Sequence, residues 1–346
     1  MVNLFTLNQV PTIILFLGEK MNKTSNLVFN LFYLFLFALI LPIFLGFISS
    51  LHPLFDSLSH FRIQLLFLIL PLLFILIFLH QAHKYRYLYS ILLLFTSFYL
   101  YQVMLPFSPK VIDKNKTDTL KHLQFNLRFS NPYIKEFKTF LENSDIDVVT
   151  LQEVTTSHRK TLEGLKNGEY TLSKLYPFII KSKGAYPYQK YCEFQGVGDV
   201  AILSKHPINE EKSVCIPYQG LLWSQIIIND KAINITSIHL HWPYPYQQSK
   251  QVKFLKPVLQ NIPKPTLIAG DFNAVSWSNT LSIISKVSKT KVVNGLRWSI
   301  NLNEKIPLLK LPIDHLLLSK ELEVKSIKVG EDLGSDHLPI VSQIAY

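Results

Sequence analysis

The stretch PTLIAGDFNA, Pro265–Ala274, sets an aspartate and an asparagine two residues apart at the end of an apolar run. In an extended chain, positions i and i+2 project to one face. Asp271 and Asn273 are therefore expected side by side, with Phe272 turned away to pack. A carboxylate and an amide presented together at the end of a buried strand are residue types that could do chemistry there. The same residues also suit an ordinary strand-end turn, where Gly, Asp and Asn recur for backbone reasons. Repetition along the chain separates the two readings. Asn126 closes LKHLQFN, Glu153 closes DVVTLQE, and His239 and His241 share a face of INITSIHLH. Asp314 sits inside PIDHLLLS, and Asp336-His337 follows a glycine turn in GSDHLPIV. Each alone reads as a solvated strand end. Together they predict carboxylates, amides and imidazoles gathered at one edge of a rigid sheet assembly.

Those strand ends need strands. Leu120–Leu127, Asp147–Gln152, Val197–Leu203, Trp223–Ile228, Ala232–His241, Thr266–Ala269, Ile313–Leu318, Val324–Val329 and Leu338–Ile344 carry the apolar, β-branched runs expected of them. Asn229-Asp230-Lys231 reads as a hairpin turn. Pro132–Asn143, Gln247–Ile262 and Trp277–Ser288 are the helix candidates. Many strands and few helices predict an α/β domain of two packed sheets with helices outside.

The first third of the chain is different in kind. Leu31–Ile48, Ile63–Leu79 and Tyr87–Leu105 contain no Asp, Glu, Lys or Arg, and each approaches the length needed to cross a bilayer. Pro42 and Pro71 lie within two of them, which membrane helices tolerate. Tyrosines 85, 87, 89, 99 and 101 cluster at the ends of the third, where interfacial aromatics belong. Three membrane helices are predicted. Lys20, Lys23, Lys84 and Arg86 put the N-terminus and the second loop in the cytoplasm, and everything after the third helix on the far side. Lys110, Lys114 and Lys116 argue mildly the other way. The expected organisation is an N-terminal flank (1–26), a three-helix membrane region (27–106), a polar linker (107–119) and a catalytic domain (120–346). Translation is expected to begin at either Met1 or Met21.

Formal net charge is +3 over residues 1–105 and +8 over 106–346, within a total of +11. An excess of that size favours a polyanion or an anionic lipid surface, and equally describes a lysine-rich solvated face. Cys192 and Cys215 are the two cysteines of the chain. A disulfide and a pair of free thiols both fit, whereas two cysteines with no partner cluster do not make a metal site.

GDFN, the strand-terminal QE, the S-x-H strand and the final SDH resemble the signature of the endonuclease/exonuclease/phosphatase (DNase I-like) superfamily. The likeness runs from about Leu120 to Tyr346, in the expected order. Together with the membrane helices, HLHWPYPYQQ and the run from GLRWS to LKLPIDHLLLS are most similar to its membrane-anchored bacterial branch. The resemblance implies a four-layer α/β/β/α sandwich and a metal-dependent phosphoesterase. It implies Glu153 as the principal ligand of Mg2+ or Mn2+, with Asn126 and Asp336 close to the metal. Asp271 would orient and deprotonate the attacking water, and Asn273 would hold a phosphate oxygen. His337, steered by Asp314, would serve in acid–base work, and His239 would assist at the phosphoryl oxygen or the leaving group. One position departs from the abasic-site enzymes of the superfamily. Arg128 stands where they carry a further metal-side Asp, and it could meet substrate phosphate instead. Nucleic acid is the first substrate class implied. A lipid headgroup cleaved at the bilayer, near the aromatic stretch Trp242–Tyr246, is the alternative, and a non-catalytic scaffold on the same fold is a third reading.

Overall fold

The computed structural model describes residues 23–79, 85–105, 107, 116, 118–172, 179–302, 306 and 309–346. Met1, Met21, Lys20, Lys84 and most of the expected linker lie outside the described residues.

Helices α1 (Lys23–Phe47), α2 (Pro53–Ser59), α3 (Arg62–Leu79) and α4 (Tyr85–Met104) open the chain. Asn30–Phe47, Arg62–Leu79 and Tyr85–Met104 are long and apolar enough to span a membrane. Leu36, Ile43, Leu66, Leu73, Leu76 and Leu100 pack these helices together. Their outward faces carry Leu34, Phe35, Phe74, Ile91, Leu94 and Phe95, all well exposed. An apolar surface of that extent is what lipid would cover.

The remaining chain builds two six-stranded sheets. The first contains β1 (Thr119–Asn126), β2 (Val148–Val154), β5 (Tyr188–Cys192), β6 (Asp199–Ser204), β15 (Glu323–Val329) and β16 (Ile340–Ala345), in the order β15-β16-β1-β2-β6-β5. The second contains β7 (Ile208–Ile216), β8 (Leu221–Ile228), β9 (Lys231–His239), β10 (Thr266–Asp271), β11 (Lys291–Val292) and β14 (Asp314–Leu318), in the order β11-β14-β10-β9-β8-β7. Two small ribbons pair β3 (Asn167–Leu172) with β4 (Ile179–Lys183) and β12 (Ile300–Asn301) with β13 (Lys310–Leu311).

Alternation along the strands sorts the apolar residues into three layers of core. Leu120, Val148, Ile202, Ile235, Leu267 and Ile344 fill the space between the sheets. Leu123, Phe125, Val149 and Leu203 face the other way, onto α5 (Ile134–Asn143) and α6 (Thr156–Leu162). Ile238, Ile268 and Leu317 face α7 (Gln248–Asn261) and α8 (Asn279–Val287). The result is the expected α/β/β/α sandwich. Cys192 and Cys215 form a disulfide, with Cα atoms 5.4 Å apart. It ties β5 to β7, the edge strands of the two sheets, and closes the question the sequence leaves open.

Candidate active site

Strand register brings the polar ends together. β1 and β2 run parallel with Asn126 opposite Gln152, one residue short of Glu153. In the other sheet, β10 sets Asp271 opposite His239 on β9 and opposite Asp314 on β14. Gly270 is what lets β9 and β10 approach here. A Cβ at that position would lie 1.8 Å from the Ile238 carbonyl oxygen.

Asn126 joins the two sheets. Its Nδ2 donates to Glu153 Oε1 (3.2 Å) and to Asp271 Oδ2 (3.0 Å), while its Oδ1 accepts from Arg128 N (2.9 Å). The second Glu153 oxygen accepts from Phe129 N at 2.8 Å. Asp271 Oδ2 also lies 3.6 Å from His239 Nε2 and 3.7 Å from His337 Nε2. The Asp314 carboxylate accepts from His337 Nδ1 at 2.7 Å and from Gln124 Nε2 at 2.9 Å. Ser335 Oγ donates to the Asn126 carbonyl (2.8 Å) and fastens the Asp336-His337 turn against β1. Gly334, at φ +83°, makes that turn possible.

Asp271 and Asn273 do meet, but not by the extended geometry expected. The strand stops at Asp271, and Asp271 Oδ1 accepts from Asn273 N at 2.8 Å in a side-chain turn. Phe272 packs into the helix-side core, as expected. Arg128, Glu153 and Asn273 all adopt positive φ, at +58°, +58° and +44°. Left-handed backbone at non-glycine residues costs on the order of 1 kcal/mol each, and its clustering here marks a functional region.

Burial and crowding set the charges. Burial, then the Asp314 charge, pushes Asp271 up to about 7, against the pull of His337. Burial opposes ionisation of Asp314 as well, but its contact with His337 wins and holds the carboxyl low. The reverse holds for His337: burial favours the neutral ring, yet Asp314 and Asp271 raise it to about 10. Burial, reinforced by the His337 charge, takes His239 down to about 3. A charged imidazole, a neutral one and a carboxyl poised near neutrality thus share one pocket.

Two donor sets fit a divalent cation. Asp271, Asp314 and His337 offer atoms within 4.8 Å of one another. Asp314 there already accepts from His337 and Gln124, so a cation would compete with the ion pair that holds His337. Glu153, Asn126 and Asp336 supply oxygen only, which suits a hard cation. The Glu153 and Asp336 side chains are 16% and 40% exposed, so a hydrated ion can reach them. Among the described residues, buried Asn273 Oδ1 and His239 Nδ1 have no hydrogen-bond partner, as atoms awaiting a ligand would.

Of the residues singled out in the sequence, Asn126, Glu153, His239, Asp271, Asn273, Asp314 and His337 converge here. Arg128 Nε sits 3.9 Å from Asp336 Oδ2 at the exposed rim. Sequence reasoning missed Gln124, and Gln152, which accepts from Gln124 Nε2 at 2.8 Å. It also missed Ser299, whose Oγ accepts from Asp314 N, and Phe194, whose ring lies 5.1 Å from that of His239. Gln124 could have been found, since it lies two residues before Asn126 on the same strand face.

Comparison with known proteins agrees with this geometry. Residues 123–337 match the model of the Endonuclease/Exonuclease/phosphatase family. A UPF0294 protein of Vibrio campbellii (strain ATCC BAA-1116) is 26% identical over 155 residues, 42% of this chain and 54% of that one. The chain thus spans about half the length of that curated relative. An endonuclease/exonuclease/phosphatase family protein from Bacteroides thetaiotaomicron superposes with a TM-score of 0.50 at 13% identity, over 66% of this chain and 98% of that one. A second, from Bacteroides vulgatus, gives 0.50 at 16% identity over 66% and 99%. With its strand-end residues, from Asn126 to His337, lying inside the matched segment, this chain belongs to the endonuclease/exonuclease/phosphatase family.

Proposed function

We propose that the protein is a membrane-anchored, divalent-metal-dependent phosphoesterase that cleaves a phosphodiester by in-line attack of water. The observation carrying this reading is the Asn126 amide, bonded at once to Glu153 and Asp271, with two imidazoles within 4 Å of the same Asp271 oxygen. Asp271, pushed up to about 7 by burial, takes the proton of the attacking water. The charged His337, held by Asp314, donates to a phosphoryl oxygen, and Asn273 holds another. Neutral His239 stands at the leaving group, and Arg128 meets the phosphate at the rim. Glu153, with Asn126 and Asp336, would hold Mg2+ or Mn2+. Such a cation, when bound, offsets the negative charge that develops at phosphorus.

Nucleic acid is the first substrate class to test, because residues 106–346 carry a net +8. A bilayer-resident headgroup is the second reading, favoured by two observations. The catalytic loop touches the membrane hairpin through His60, 3.1 Å from the Asn273 carbonyl oxygen, and Trp242, Tyr244 and Tyr246 stand exposed nearby. The catalytic domain is proposed to lie outside the cytoplasm, the side that Lys20, Lys23, Lys84 and Arg86 favour. The deciding assay uses the full chain in Mg2+ against supercoiled plasmid, sphingomyelin and a phosphoinositide, with Glu153→Gln as control. Turnover of one class, lowered roughly 10²–10⁴-fold in the control, supports the reading. Wild-type turnover of none of them would falsify it.

A further inference from the structure

The turn joining the first two spans is short, and its polar side chains would ordinarily face water. Asp56, Ser59 and His60 are instead buried, and the Asp56 carboxylate, the Ser59 carbonyl and His60 Nε2 have partners more than two hundred residues away in the catalytic domain. Asp56 caps α8: its carboxylate accepts from Asn279 N (2.7 Å), Thr280 N (3.0 Å) and Thr280 Oγ1 (2.9 Å). Trp277 Nε1 donates to the Ser59 carbonyl at 2.8 Å. Ser57 Oγ donates to the Tyr244 carbonyl at 3.0 Å, and Gln64 Nε2 to that of Lys310 at 2.8 Å. Trp277, Leu296 and Trp298 of the catalytic domain pack against the apolar cluster of the spans. Buried polar groups are expected to be paired, and here the pairing is possible only with the domain docked.

The contact that reaches furthest is His60. Its Nδ1 lies 3.1 and 3.0 Å from the carbonyls of Asp56 and Ser57, and its Nε2 lies 3.1 Å from the carbonyl of Asn273. That same Asn273 oxygen accepts from Gln248 Nε2 at 2.8 Å, and the Gln248 amide also bonds the carbonyls of Phe272 and His241. One polar network therefore runs from the hairpin to the left-handed residue at the centre of the catalytic turn. Such a conformation persists only where its surroundings over-determine it.

We propose that this hairpin is a working part of the active-site frame. His60 is a positioning residue that fixes the Asn273 backbone, and through it the Asn273 amide against the phosphate. Asp56 locks the start of α8, which follows the same loop. The role of Asn273 rests on the functional reading above; the docking of the hairpin does not. The membrane region is then more than a tether, because it carries part of what holds the catalytic turn in shape.

The test uses the full chain in lipid nanodiscs with Mn2+ and bis-p-nitrophenyl phosphate as probe. His60→Ala should lower kcat on the order of ten- to a hundredfold, the scale of an ångström-sized misplacement, while KM moves less than about twofold. Hydrogen exchange should quicken at Phe272–Val275 and stay unchanged in the inter-sheet strands. His60→Gln, which keeps a donor facing the Asn273 carbonyl, should recover most of the lost kcat. Thr280→Val cuts the network from the catalytic side, leaves the spans untouched, and should reproduce the exchange change in weaker form. Wild-type kcat and exchange in both His60→Ala and Thr280→Val overturn the proposal, as does equal damage from His60→Ala and His60→Gln. Should the wild-type chain hydrolyse no diester, the functional reading falls, and the exchange comparison alone decides whether the hairpin frames the turn.

Discussion

Asp271 Oδ2 is the meeting point of the site. That oxygen takes the Asn126 amide and faces two imidazole nitrogens, while Asp314 stands opposite in the neighbouring strand. Burial and the Asp314 charge raise the pKa of Asp271 to about 7, far above the 3.8 of an unfolded chain. An acid raised on folding keeps its proton longer in the native state, so it withdraws stability as pH climbs from about 4 to 7 and stays unfavourable above. Asp271→Asn removes that penalty. In the presence of EDTA at pH 8, the variant should melt a few degrees above wild type while losing phosphoesterase activity, a trade often found at catalytic groups. The advantage should shrink toward pH 4. A variant that melts lower at pH 8 would show that the Asp271 charge holds the fold together. Strand-end residues such as Asp271, Glu153 and His239 are visible in the sequence because a polar group after an apolar run stands out. Gln152 and Ser299 stay hidden, since nothing in the sequence says that the Gln152 amide will meet Ser237 of the other sheet or that the Ser299 hydroxyl will meet the Asp314 backbone.

At the scale of elements, the central strands and the edge strand β15 were legible, and the edge strands β5, β7 and β11 were not. β2 and β10 are nearly continuous apolar runs buried on both faces, a pattern with few alternatives. β7 reads INEEKSVCI, with charged residues in its middle, because an edge strand needs little apolar surface and benefits from charge. β5 and β7 are also where the two sheets have the fewest neighbours to hold them together, and there the Cys192–Cys215 bond sits. Closing a loop of that size contributes about 3 kcal/mol by restricting the unfolded chain. Cys215→Ser, or wild type in dithiothreitol, should therefore lower the melting temperature of the catalytic domain by several degrees. Activity at moderate temperature should persist, since the bond lies in edge strands and none of the proposed catalytic groups belongs to them. A melting temperature indifferent to reductant would mean that the sheet edges are held by packing alone. The catalytic turn at Asn273 illustrates a subtler limit. Sequence spacing placed it beside Asp271 correctly, but through strand geometry, whereas the chain uses a side-chain turn and a positive φ.

For the molecule as a whole, the hairpin contacts make topology testable without first knowing which side is which. Two of the span-length helices are joined by a segment that is hydrogen-bonded to the α/β domain, and the third leads into that domain. If all three helices cross the bilayer, the turn and the domain must share one side, and the connection before α4 must lie on the other. Neither Asp56 nor His60 announces this in the sequence, where both sit in a short polar stretch between apolar runs. Single cysteines at Ser50, Arg86 and Lys328, exposed positions on the turn, at the start of α4 and on β15, should report it cleanly. The native cysteines are bonded to each other and leave no competing thiol. With an impermeant maleimide on intact cells, Ser50→Cys and Lys328→Cys should react alike and Arg86→Cys oppositely. The proposed orientation adds that the first two react from outside, where an oxidising compartment keeps the disulfide formed. Reaction of Ser50→Cys and Lys328→Cys from different sides would separate the turn from the domain. The bond between His60 and the catalytic turn could not then exist in the membrane.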